Sequence, residues 1–126
     1  MNRIYLYMFS FKGRLNRKAF LIQSIIVGVI QILNVVVISY VQKTLHPSSD
    51  IGTSLLSIPV SLTSMVISIG VIIFSLSIIA RRWHDLGKSG WMALLGIIPI
   101  VNFVVWLYLV FKEGAVGSNK YGAAQK

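Results

Sequence analysis

Three long stretches of this chain carry no charged side chain: residues 19–41, 55–80 and 91–111. They contain 23, 26 and 21 residues, 70 of 126 in all. A helix needs about 20 apolar residues to cross the hydrocarbon core of a bilayer. Too little chain remains for a separate water-soluble domain. The expected fold is all-α, a polytopic membrane protein with two full transmembrane helices plus a third Pro-broken span or helical hairpin. Its parts are an interfacial N-terminal segment 1–18, helices 19–41 and 55–80, an interfacial loop 81–90, the broken segment 91–111 and a glycine-rich tail 112–126.

The net charge is +9, yet only 12% of residues are charged, 56% are hydrophobic and mean hydropathy is +0.78. A basic soluble nucleic-acid reader would need more charge and shorter apolar runs, so nucleic acid is not an expected partner. The content of Ile, Leu and Val excludes disorder. Cysteine is absent, which removes disulfides, thiol catalysis and thiolate metal sites. The first run is too long for the ~7–15-residue apolar region of a signal peptide, and Gln42, Lys43 and Thr44 offer no small-residue cleavage site.

Pro59 fits the first turn of a helix, so the second helix is expected to start near Ser57 or Ile58. Loop residues Pro47, Ser48, Ser49, Asp50 and Gly52 mark a turn. The third run has Pro99 near its centre. It reads either as one kinked span or as a hairpin of residues 91–98 and 102–111, each half too short to cross.

Basic residues mark the cytoplasmic side. Arg3, Lys12, Arg14, Arg17 and Lys18 precede the first helix, and only Lys43 lies in the first loop. Arg81, Arg82 and Lys88 follow the second helix, and Lys112, Lys120 and Lys126 lie in the tail. The N-terminus is therefore expected inside. A hairpin puts the tail inside too, with eleven basic residues against one, and is the favoured reading.

Within the runs, Ser57, Ser61, Ser64, Ser68 and Ser75 fall within roughly 60° of one another on a helix. Small hydroxyl residues on one face form a close-packing surface. Gln23, Ser24, Gln31 and Asn34 share an arc of roughly 100° on the first helix, and amides in lipid require partners. Docking of the two faces is expected, with a polar path or an oligomer seam as the alternative. No acidic residue lies in any run, which argues against a proton-coupled transporter.

Chemistry gathers in three segments. Residues 81–91 hold His84 and Asp85, and Asp85 can pair with Arg81 or Arg82 along a continuing helix. Trp83 and Trp91 suit the headgroup zone. His46 sits in the opposite loop. Tyr5, Tyr7, Phe9 and Phe11 alternate as a short strand would, but interfacial anchoring is the preferred reading. Arg14, Arg17 and Lys18 can contact anionic lipid. The tail lacks the Gly-Lys-Ser/Thr ending of a phosphate loop.

These segments together resemble a known family. Phe11-Lys12-Gly13-Arg14, Arg17 and Phe20 match an F-x-G-R-x-x-R-x-x-F/Y signature. Arg81-Arg82-Trp83-His84-Asp85, Gly87 and Ser89-Gly90-Trp91 match R-R-x-H-D-x-G-x-S-G-W. Ile98-Pro99 and then Gly114, Gly117, Asn119 and Tyr121-Gly122 match its ending. The chain is similar to the small YhaH-like bacterial inner-membrane proteins, domain-of-unknown-function family eight hundred and five, from about Tyr7 to Gly122. It departs at Leu21, where an aromatic is usual, and in lacking a proline before the tail glycines. The resemblance implies a bacterial cytoplasmic-membrane protein with no established activity.

The expected interfacial cluster is Arg14, Arg17, Arg81, Arg82, His84, Asp85, Asn119 and Tyr121, with Asp85 paired to an arginine and the tail as its cap. No catalytic residue, metal or cofactor is expected. The first functional expectation is a non-enzymatic scaffold or adaptor that binds anionic lipid headgroups, with a membrane partner or a second copy, in envelope or stress physiology. The alternative is a small transporter or channel between the first two helices. An enzyme using His84 and Asp85 ranks last, because no nucleophile–base–metal set is present.

Overall fold

The computed structural model describes residues 10–45 and 51–123. Tyr5, Tyr7, Phe9, His46, the turn residues Pro47 to Asp50, Arg3 and Lys126 lie outside them. The chain is all-α: α1 spans Arg17–Leu45, α2 Ile51–Asp85 and α3 Pro99–Phe111, with a 3-10 helix Gly90–Ile97 before α3. Among the described residues two helices are long and apolar enough to cross a membrane, and the third apolar helix is shorter.

Both long helices outrun their charge-free cores. Loss of apolar character ends a span, but nothing in Arg17, Lys18 or Lys43 ends a helix. Asn16 caps α1, its side-chain Oδ1 accepting the Ala19 N–H at 2.9 Å. α2 runs through Arg81–Asp85, where a loop was expected. It stops in a Schellman arrangement: Gly87 N–H donates to His84 O (3.0 Å) and Lys88 N–H to Trp83 O (2.9 Å). Gly87 has the positive φ of 73° that this ending requires. α2 starts at Ile51, earlier than the expected start near Ser57 or Ile58, so Gly52 belongs to the helix and Pro59 lies eight residues past its first residue, outside the first turn. The proline removes one backbone donor, and the apolar sequence on both sides offers the backbone no partner outside the helix.

The contacts divide the chain into two units, one of Met1–Ile25 with Ile73–Lys126 and one of Ile26–Ile72. The first holds every buried apolar residue described: Leu15, Phe20, Ile78, Ala80, Trp83, Ala93, Val105 and Leu109. In the second, no described side chain is buried. Ile32 and Val66 are each 65% exposed. Apolar exposure on that scale is unstable in water and ordinary in lipid. Within this second unit, Ser64 Oγ donates to Asn34 Oδ1 (2.5 Å) and Asn34 Nδ2 to Ser64 O (3.5 Å).

In the first unit the third apolar run breaks at Ile98, and Pro99 starts α3 with its fixed φ. The second half thus starts at Pro99, three residues before Asn102. The two pieces are about 16 and 20 Å long by their rises per residue, well short of a ~30 Å core. The segment starts beside His84, which crowds Gly90, and ends with Lys112 O accepting from Arg82 Nη2 at 2.5 Å. It therefore leaves and rejoins the same end of α2.

Candidate functional site

The site is built around one carboxylate. Asp85 Oδ1 accepts from Arg14 Nε at 2.9 Å, and Oδ2 accepts from Arg82 Nη1. All three residues are buried. Arg82 reaches Asp85 because i,i+3 neighbours share a helix face. Arg14 comes from the segment before α1, which is held by Leu15 N–H donating to Arg81 O at 3.1 Å.

Two guanidiniums against one carboxylate leave a buried positive excess, and backbone carbonyls answer it. Arg82 donates to Leu109 O (3.0 Å), Lys112 O and Leu15 O (3.3 Å). Leu109 lies in the last turn of α3, whose final carbonyls lack helical partners and carry the negative end of the dipole. Arg14 Nη1 donates to Gly117 O (2.6 Å) and Gly122 O (3.3 Å). Its Nη2 donates to Ala115 O (2.7 Å) and Asp85 O (3.5 Å). The fixed fork of arginine suits such multiple acceptance.

The tail wraps this centre closely. Ala115 N–H donates to Asp85 O at 2.9 Å. A Cβ on Gly114 would stand 2.2 Å from Asp85 Oδ2, so only glycine fits there. Asn119 Nδ2 donates to His84 O at 2.9 Å. The Tyr121 ring stacks on His84 with centroids 3.8 Å apart. His84 Nδ1 lies 3.1 Å from Gly13 O, which places the proton on Nδ1.

Of the eight residues expected to cluster, Arg14, Arg82, His84, Asp85, Asn119 and Tyr121 join through these contacts. Arg81 is buried beside them and donates to Gln23 Oε1 (3.3 Å) and Ser77 O (3.4 Å). Arg17 instead forms an exposed pair with Glu113 at 3.3 Å, a contact of small value. The other polar residues of the runs are dispersed. Gln23 meets Arg81, Ser24 donates to Phe20 O of its own helix (2.8 Å), and Asn34 meets Ser64. The Gln31 Oε1 atom is buried and has no hydrogen bond among the described residues. Ser57, Ser68 and Ser75 are half-buried and Ser61 is exposed.

Sequence reasoning missed the acceptors. Gly13, Leu15, Leu109, Lys112 and Ala115 take part through backbone carbonyls, a group every residue owns. The described residues include no group of three His, Cys, Asp or Glu that could hold a metal.

The chain is 28% identical over 117 residues to the inner membrane protein YhaI of Escherichia coli K12, covering 90% of this chain and 83% of that protein. It is 35% identical over 46 residues to the inner membrane protein YhaH of the same strain, covering 36% of this chain and 38% of YhaH. No solved structure matches. The model of the family described as "Protein of unknown function (DUF805)" matches residues 8–123, which include every residue of the arginine–aspartate cluster, and the chain belongs to that family.

Proposed function

We propose that this chain is a non-enzymatic inner-membrane scaffold that presents a locked basic face to anionic lipid headgroups on the cytoplasmic side. α1 and α2 cross the bilayer, the N-terminus is cytoplasmic, and segment 90–111 re-enters without crossing. The carrying observation is the closure of the Asp85 site: both carboxylate oxygens are taken by Arg14 and Arg82. A carboxylate so engaged is a structural tie and is not poised as a base. The return of the tail to the end of α2 supports one shared side, which would hold eleven of the twelve basic residues. Lys12, Lys88, Lys112 and Lys120 are exposed there and each is worth about 1 kcal/mol near an anionic surface.

Fusions after Lys126 test this reading. A cytoplasmic reporter (green fluorescence) is expected to be active and a periplasmic one (alkaline phosphatase) inactive. Purified protein in nanodiscs is expected to melt higher with phosphatidylglycerol than with phosphatidylcholine, by a margin that salt reduces. A periplasmic C-terminus, or equal melting in the two lipids, overturns it.

A further inference from the structure

A groove of about 560 Å³ runs beside the locked cluster, walled by Phe11, Leu76, Ala80 and Leu94, with His84 and Gly90 also in its lining. That volume falls in the range of small-ligand sites, about 300–1,000 Å³. Its walls are apolar, and the groove stays within the first structural unit.

His84 is built into this groove as few surface histidines are. The residue is 9% exposed, its ring stacked on Tyr121 and tied through Nδ1 to Gly13 O. Its backbone carbonyl is held by Asn119. With the proton on Nδ1, the neutral ring presents a lone pair at Nε2. Nε2 makes no hydrogen bond among the described residues. It packs against Gly90, where a side chain has no room: a Cβ there would stand 2.7 Å from Nε2. An oriented acceptor is thus carried by a residue that lines an apolar groove.

The surroundings select by charge. Lys120 Nζ lies 5.0 Å from the Tyr121 ring centroid. Lys12 and Lys88 adjoin the lining residues Phe11 and Ser89 in sequence. Asp85, the acid next to His84, already has both oxygens bonded. An ammonium headgroup would meet uncompensated positive charge, whereas a phosphate is attracted. The lone pair at Nε2 asks in addition for a hydroxyl donor.

We propose that this groove holds one acyl chain of an anionic phospholipid whose headgroup carries a free hydroxyl, phosphatidylglycerol being the simplest. The hydroxyl donates to His84 Nε2, the phosphate lies toward Lys120, and the chain follows Leu76, Ala80 and Leu94. The proposal rests on the headgroup-binding reading above and names its site.

Native mass spectrometry of the full chain in detergent tests it. The probes are phosphatidylglycerol, phosphatidylethanolamine and glycerol phosphate. One phosphatidylglycerol per chain is expected, held at least roughly tenfold more tightly than the other two. Gly90→Ala sets a methyl directly against Nε2, and Leu94→Trp fills the groove from a wall position that is 48% exposed. Each is expected to lower that affinity at least roughly tenfold, with lipid-free melting of Leu94→Trp unchanged. Equal binding of the two phospholipids overturns the site, as does wild-type binding by Leu94→Trp or equally tight binding of glycerol phosphate. If phosphatidylglycerol nanodiscs still raise the melting temperature in that case, the groove falls and the headgroup reading stands. If they do not, both fall.

Discussion

Arg14 and Asp85, 71 positions apart in the chain, meet in a 2.9 Å charge-assisted hydrogen bond whose two side chains are 2% and 4% exposed. This one contact ties the segment before α1 to the end of α2. Because Arg14 also holds the tail carbonyls, it joins three separated parts of the sequence.

Removing the carboxylate should be the most damaging single change. Asp85→Ala leaves two buried guanidiniums facing each other without a counter-charge. Breaking a buried pair in this way costs about 3–5 kcal/mol. Asp85→Ala is expected to lower the melting temperature in detergent sharply and to reduce the amount recovered from membranes. Asp85→Glu, which keeps the charge, should recover part of the loss. Wild-type melting of Asp85→Ala would refute the central role of this residue.

The Arg14–Asp85 link should also be measurable as a coupling. In a double-mutant cycle of Arg14→Ala and Asp85→Ala, the two changes share one network and should be strongly non-additive. The double variant is expected to lose less than the sum of the singles, because it leaves less uncompensated charge. Simple additivity, read by reversible unfolding in mild detergent, would show that the contact contributes little.

Gly114→Ala tests the close approach of the tail. The added methyl would lie 2.2 Å from Asp85 Oδ2, forcing a backbone shift that costs roughly 1–3 kcal/mol. Val116→Ala, at a fully exposed position two residues on, should stay within about 0.5 kcal/mol of wild type. Protease sensitivity of the tail separates the two: Gly114→Ala is expected to be cut faster, Val116→Ala at the wild-type rate.

Asn34→Leu tests the polar contact in the second unit. The Asn34–Ser64 pair is bonded in both directions, and hydrogen bonds between membrane helices contribute about 0.6–2 kcal/mol. A destabilisation of that size is expected, with Ser64→Ala giving a similar loss. No change in either variant would assign the pair no role in holding the helices.

The two long helices, the break at Pro99 and the membrane setting were legible because they follow from local properties. Absence of charge over 20 residues dictates lipid burial, and the fixed φ of Pro99 suits the start of a new helix. Sequence reading also picked out Asp85, since a lone acid among arginines must be answered by charge. It set the end of α2 at Ala80 because it equated the span with the helix. The backbone obeys hydrogen bonding, and the Schellman ending at Gly87 carried it on to Asp85.

What the sequence alone determined is therefore the solvent: apolar runs and basic flanks commit this chain to a bilayer, because transfer free energy sums residue by residue. Only the tertiary structure decided which polar groups meet. Arg82 turned to the last carbonyls of α3, Arg14 to the tail, and His84 to Gly13 and Tyr121. Those partners are mostly backbone carbonyls, whose chemistry is the same at every residue, so only their positions in space distinguish them.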